Sequence, residues 1–410
     1  MLLTRRSFAL GTVAGAAAAT LGPEALLPTA EAATGSSAES PQVVLDWERI
    51  VFRTVYTDTA TPIPVGVPVL GFVSVALHDA ATRSAQVSHS SERAAVATAA
   101  HDVLVHYYPA QSAPLAADLA ASLAGIGPAA RSKGARIGAR AAAAMLASRV
   151  GDHYLDPSFH YAKAPGPGVW QPNPGTADMV APWLGSLRPL FVDGPVRVPG
   201  PDALASAAYA SDFDEVRRLG SASSAERSDD QTATALFFNS NAATMVGDAL
   251  IRYLEAHPLD LLHTARLFAL MHGAMTDSAI RVWGLKRDVG FWRPSQAIIG
   301  ADNDGNPATA PETGWTPLVP TPNYSDYVSG HAGLTGPACE IIRQTLGDET
   351  PLELRSVNSP TPRVYRRLSQ IERDAFNARI WSGLHFRRAM IDGYAIGHGT
   401  ARRVMAALSR

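Results

Sequence analysis

Nine prolines fall between positions 165 and 201, at 165, 167, 172, 174, 182, 189, 195, 199 and 201. No helix or strand survives that density, because each proline removes a backbone donor and fixes φ. Residues 165–202 are therefore expected to form a long ordered loop wrapping the surface, or a boundary. On both sides the apolar residues recur at helical steps. The pattern runs from Val43 to about Arg149, clearest in Glu92–Tyr107 and Ser132–Arg149. It returns at Asp229–His257, Pro258–Trp283, His331–Leu346, Thr361–Ala378 and His385–Leu408, with a second irregular stretch at Asp302–Tyr327. Alternating strand patterns are nearly absent and no repeat of fixed period is present. The expected fold is all-α, a multi-helix bundle with long proline-rich loops. It comprises an N-terminal helical part (43–164), the loop (165–202) and a C-terminal helical bundle (203–410), with 43–410 forming one fold.

Composition narrows the function classes. With 410 residues, 46% hydrophobic and 18% charged, the chain is globular and long enough for a large core. A net charge of −2 argues against a nucleic-acid binder. The single cysteine, Cys339, excludes an intrachain disulfide framework and a thiolate zinc site, and reads as a small core residue. Residues 1–33 carry Arg5-Arg6, Phe8 and Leu10, then a weakly apolar Gly/Ala stretch and Ala30-Glu31-Ala32. That is the pattern of a cleaved twin-arginine export signal, too short and too weakly apolar for a membrane anchor. The protein is expected to work outside the cytoplasm, whether secreted, periplasmic or at the cell surface. Residues 34–42 read as a flexible leader. No later segment reaches 18 uninterrupted apolar residues, so no membrane insertion is expected after signal cleavage.

Three segments carry the chemistry. In the first, Phe268, Met271, Met275, Ala279 and Val282 form an apolar stripe whose next member is Lys286. A lysine on a buried face needs an anion. Arg293, followed by Pro294, can turn back to the same point. In the second, a proline-rich loop delivers Ser329 and Gly330 to a helix start, where Ser329 is a natural N-cap and free amides bind oxyanions. His331 enters that first turn as an acid–base candidate. The third is Arg379 to His385. On a continuous helix these two would lie about 120° apart, so they converge only if Ser382-Gly383 breaks the helix. Each segment alone has a plainer reading: a snorkelling lysine, a capped helix, a core histidine. Together they supply the donors for a multivalent tetrahedral oxyanion, each cation contributing roughly 4 kcal/mol at about 4 Å and an effective dielectric near 20.

In this order the segments resemble the vanadium-dependent haloperoxidases, within the superfamily shared with type 2 phosphatidic-acid phosphatases and bacterial acid phosphatases. The family pattern is Lys, six residues, Arg-Pro; then Pro-Ser-Gly-His; then Arg, five residues, His. Asp277–Ile298, Trp315–Gly330, Ile380–Gly397, Trp170-Gln171-Pro172 and Val43–Ala81 are similar to the haloperoxidase branch, so the resemblance covers about residues 43–408. It implies vanadate as cofactor, with His385 as its axial ligand. Lys286, Arg293, Ser329, Gly330 and Arg379 would bind the oxyanion, with His331 as acid–base group and Lys286 polarising bound peroxide. Trp283 and Tyr324 would stand beside the halide. The implied activity is oxidation of halide by hydrogen peroxide to a hypohalous acid equivalent that halogenates a small organic substrate.

Three departures stand out. Val328 replaces the motif proline, Tyr324 stands where phenylalanine is common, and Ala389 occupies a position that is often Asp, four residues after the ligand histidine. The nearest acid in sequence is Asp392, so the partner of His385 or Arg379 is missing or supplied elsewhere. The competing reading is a secreted phosphatase using the same cradle, His385 as nucleophile and His331 as general acid. A third is a redirected or non-catalytic oxyanion-binding member. Asp302-Asn303-Asp304-Gly305-Asn306 lacks the closing glutamate of a calcium loop and reads as a turn. His257, His263 and His272 lack zinc spacing. The helical surface leaves oligomerisation open.

Overall fold

The computed structural model describes residues 39–407 apart from Ala177 and Asp193; the export segment 1–33 lies outside the described residues. The first helical region resolves into α1 (Gln42–Phe52, continued by a π-helical turn at Arg53–Asp58), α2 (Ile63–Ala85), α3 (Glu92–Tyr107), α4 (Ser112–Leu123) and α5 (Pro128–Ser148). Their starts follow the local chemistry: Ser91 Oγ accepts from the Ala94 N–H at the head of α3, and prolines open α2 and α5. The leader is tied down sooner than expected, since the Glu39 carboxylate accepts from Ser91 Oγ at 2.9 Å. By length and mean hydropathy (1.6) α2 could cross a membrane, yet 89% of that apolar window is buried within the protein.

The second region contains α6 (Ala207–Gly220), α7 (Asp229–Phe237), α8 (Ala242–Ala256), α9 (Leu261–Val289), α10 (Pro294–Ile299) and α11 (Gly330–Leu346). A two-stranded hairpin follows, β1 (Leu352–Ser356) with β2 (Ser359–Tyr365), then α12 (Leu368–Trp381) and α13 (Arg387–Ala407). The periodicity at Asp229–His257 belongs to two helices, because Asn241 leaves the helical path and caps α8 through the Ala243 N–H. The hairpin corrects the helix expected from Thr361. Leu352 and Leu354 are fully buried, β1 packs against α8, and the register pairs Leu352 with Tyr365. Pro360 and Pro362 sit in β2, which has no further strand on its outer side, the setting in which proline is tolerated.

The helix that organises the molecule is α9, about 43 Å long at 1.5 Å per residue. It packs along α2 on one side and against α11 and α13 on the other, so both helical regions share one apolar core running from Val43 to Val404. Its burial is nearly complete around the circumference from Thr264 to Ile280, broader than the stripe expected from sequence. Asp260 caps its start and Gly290, at φ 61°, ends it.

Among its described residues the proline-dense segment holds one short 3-10 turn, Pro182–Ser186, but it does more than wrap the surface. Trp170, Leu184 and Leu190 are buried in the core. Several of its N–H groups are taken by the elements carrying the site. Trp170 donates to Gly290 O (2.8 Å), Asn173 to the Asn323 side chain (2.8 Å), Val180 to Asn323 O (3.0 Å). The N–H groups of Leu190, Phe191 and Val192 all go to the Asp277 carboxylate on α9, at 2.6, 2.9 and 3.0 Å. The loop is a strap across the helix that ends in Lys286.

The helix break expected at Ser382-Gly383 is present. α12 stops at Trp381, Gly383 has φ 75°, and the Leu384 N–H returns to Arg379 O. A Cβ on Gly383 would lie 2.5 Å from Gly220 O. Gly383→Ala should therefore cost about 2 kcal/mol, from the left-handed backbone alone and more from the clash. Guanidinium unfolding would show it, and a loss under about 0.5 kcal/mol would mean the turn is not constrained as described.

Candidate active site

Three cations from three segments meet in the core. Lys286, from the last turn of α9, donates through Nζ to Ser325 O (2.7 Å) and Asp326 O (3.1 Å). Arg293, just ahead of α10, donates from Nε to Tyr324 O (2.8 Å) and from Nη1 to Leu384 O (2.7 Å). Arg379, at the end of α12, reaches Phe238 O at 3.4 Å. All three are buried, and backbone carbonyls leave part of each donor set unused. Arg293 Nη2 and Arg379 Nε are buried without a partner, and two bonds leave the lysine ammonium one N–H. Burial, with Arg293 and Arg379, holds the Lys286 ammonium well below its ordinary range. Burial brings Arg379 down to about 10.

The two histidines sit in opposite tautomers. His331 Nε2 lies 3.0 Å from Ser240 O, an acceptor only, so Nε2 carries the proton and Nδ1 is the lone-pair atom. His385 is bracketed differently. Asp326 Oδ1, an acceptor, is 2.7 Å from its Nδ1, while Arg293 Nη1 lies 3.2 Å from Nε2 and 3.5 Å from Nδ1. Nε2 must therefore be the bare nitrogen and Nδ1–H must donate to Asp326. Burial and the neighbouring cations hold both imidazoles well below the usual histidine range, so they are neutral.

Ser329 is the N-cap of α11, its Oγ accepting from the Ala332 N–H at 3.4 Å. Its own N–H is not a free oxyanion donor as expected, because it goes to Ala389 O at 3.0 Å. What it offers is the hydroxyl proton, beside the first-turn N–H of Gly330. The peptide entering Val328 is cis. Trp283 anchors its indole N–H on Val180 O at 3.1 Å, and its ring lies 5.4 Å from that of Tyr324. The Tyr324 ring in turn faces Lys286 Nζ at 4.9 Å and the Arg293 guanidinium at 5.0 Å. Among the cradle's side chains only His331 and Tyr324 are partly exposed, which marks the side of access.

All nine residues expected from sequence belong to this one cluster. Sequence reasoning missed Asp326, the buried carboxylate on His385, although three buried cations signal the need for one. Asp392, the acid nearest in sequence, accepts instead from Tyr327 OH (2.6 Å) and Arg388 Nε (3.0 Å). It also missed the carbonyls of Phe238 and Ser240, which no motif encodes.

Residues 266–410, which contain all three segments, match the family described as the VCPO second helical-bundle domain. A stretch of 89 residues, 20% of the chain, is 35% identical to the vanadium chloroperoxidase of Curvularia inaequalis and spans 14% of that enzyme's length. A bacterial vanadium-dependent iodoperoxidase superposes with TM-score 0.74 at 20% identity, covering 91% of this chain and 98% of its own. The apo form of a bacterial vanadium-dependent chloroperoxidase gives 0.69 at 16% identity, covering 85% and 93%. The chain has the fold of the bacterial vanadium haloperoxidases, and its C-terminal part matches their helical-bundle family.

The donor set fits a tetrahedral oxyanion. The cradle buries three cations against one carboxylate, and two of its guanidinium nitrogens are buried without partners. An arriving anion raises the pKa values of His331 and His385, so binding takes up protons and affinity rises as pH falls. Sulfate, which stays a dianion while these groups titrate, isolates the protein's part. Titration calorimetry in buffers of different ionisation enthalpy should show proton uptake; zero uptake or release would contradict this electrostatic account.

Proposed function

We propose that the chain is a vanadate-dependent haloperoxidase, oxidising halide with hydrogen peroxide to a hypohalous acid equivalent that halogenates a small organic acceptor. The observation that carries this reading is the bare Nε2 of His385, held beside unused donors of Arg293 and Arg379 in a buried cationic cradle. Arg293, Arg379, Lys286, the Ser329 hydroxyl and the Gly330 N–H would hold the oxygens of vanadate, and His385 Nε2 would bond to the vanadium. Bound vanadate supplies a Lewis-acid centre that activates hydrogen peroxide toward halide.

The residues around it do the rest. His331, with its proton fixed on the Ser240 side, presents Nδ1 to accept a proton from incoming peroxide. Lys286 offers its remaining N–H to oxygen on which negative charge develops, in a dry site where that bond is strong. Trp283 and Tyr324 give the halide a wall of low polarity close to the cations. The phosphatase alternative uses the same cradle but needs His331 to deliver a proton to a leaving alcohol. The tautomer its contact with Ser240 O implies, with Nε2–H on a carbonyl, suits acceptance better. The twin-arginine segment completes the proposal as an address outside the cytoplasm.

The test is peroxide- and bromide-dependent bromination of an activated phenol by purified protein loaded with orthovanadate. Turnover should require vanadate, vanish in His385→Ala, and fall on the order of 10²–10⁴-fold in His331→Ala. No bromination with vanadate confirmed bound, together with vanadate-free hydrolysis of an aryl phosphate, would transfer the site to the phosphatase reading.

A further inference from the structure

Asp326 is the one carboxylate among the buried cradle residues, and it contacts the proposed ligand histidine directly. Its Oδ1 is 2.7 Å from His385 Nδ1, with both side chains inaccessible to solvent. The residue is held by its backbone as well: its N–H donates to Phe291 O at 2.9 Å, and its carbonyl accepts from Lys286 Nζ. Its other oxygen, Oδ2, is buried without a partner. Residue 389, on the first turn of α13, contributes only a methyl group. Asp326 and Ala389 line the same small cavity, together with Phe386, beside a void of about 10 Å³. Positions 326 and 389 thus line one space beside Phe386, where only 326 carries an acid, while Asp202 and Asp212 border the same cavity from the strap and α6.

We infer that Asp326 is the positioning residue of His385, delivering from the loop ahead of α11 a carboxylate that the first turn of α13 could equally supply from position 389. The inference rests on the proposed function only in taking His385 Nε2 as the bonding atom.

The physical argument is one of tautomers. A neutral imidazole carries one proton, on Nδ1 or on Nε2. With Nδ1–H donated to Asp326, Nε2 keeps its lone pair for an electrophilic centre, and the donor-only Arg293 Nη1 is accommodated beside it. Without the carboxylate, nothing holds the proton on Nδ1. A proton on Nε2 would block the bonding atom. Charge balance alone would be a different role, because a carboxylate offsetting three cations acts on every anion equally.

That difference gives the experiment, done on the full chain with two anions. Vanadate reads the bond to Nε2 as well as the donors; sulfate reads the donors only. In Asp326→Asn and Asp326→Ala, vanadate affinity should fall 10–100-fold while sulfate affinity holds or rises. Nitrogen-15 NMR of the histidines should show His385 losing its pure Nδ1–H form. The double variant Asp326→Ala/Ala389→Asp should recover vanadate affinity to within a few-fold and restore the tautomer. Circular dichroism and thermal unfolding identify any variant that fails to fold, and the conservative Asp326→Asn then carries the test. Vanadate affinity unchanged in Asp326→Asn, or vanadate and sulfate falling together, overturns the positioning role. A double variant that folds but stays weak overturns the equivalence of 326 and 389. If the wild type binds vanadate no better than sulfate, the haloperoxidase reading is what fails, and the NMR comparison alone then decides for or against Asp326.

Discussion

The structure depends on keeping Lys286, Arg293 and Arg379 together inside an apolar core. Three like charges at this separation repel, and each loses the hydration that would stabilise it in water. The fold compensates with backbone carbonyls rather than with matching carboxylates. Ser325, Asp326, Tyr324, Leu384 and Phe238 each turn a C=O toward the cluster, and only Asp326 adds a carboxyl group. Partial charges of this kind satisfy hydrogen-bonding capacity without cancelling the positive field. The result is a site that stays electrostatically incomplete, which is the condition for binding a multivalent anion tightly.

Irregular backbone is what makes those carbonyls available. Inside a helix or strand they would be paired, so the loops at 320–328, 238–241 and 382–386 must remain loops and still be rigid. The strap between residues 165 and 202 provides that rigidity. It is fastened to Asp277 on α9 and to Asn323 in the loop before Ser329, and its prolines lower the number of donors it must satisfy in the core. Gly383 closes the last gap, turning the chain against Gly220 so that His385 faces Arg293.

Much of the site was legible because its donors are encoded locally. Lys286 follows an apolar stripe, Ser329 precedes a helix, and Arg379 and His385 flank a glycine that can reverse the chain. What stayed hidden were groups whose importance is set by their neighbours. Asp326 sits in the loop that leads to Ser329, yet nothing local distinguishes a loop aspartate exposed to water from one pressed on an imidazole. The carbonyls of Phe238 and Ser240 are invisible in principle, since every residue has one. The hairpin was missed for a related reason: Leu352 and Leu354 alternate over too short a run, and the prolines of β2 erase its strand signal.

The sequence by itself determined the helical class, the proline-dense loop, and the cations and histidines of an oxyanion cradle, because periodicity and residue chemistry act over a few neighbouring positions. The tertiary structure decided that both helical regions share α9 in one core, that the loop is a strap fastened to it, and that Asp326 rather than a residue of α13 holds His385. It also set the histidine tautomers. A tautomer depends on which donor or acceptor lies within hydrogen-bonding distance, and here those partners come from residues 59, 91 and 92 positions away in the chain.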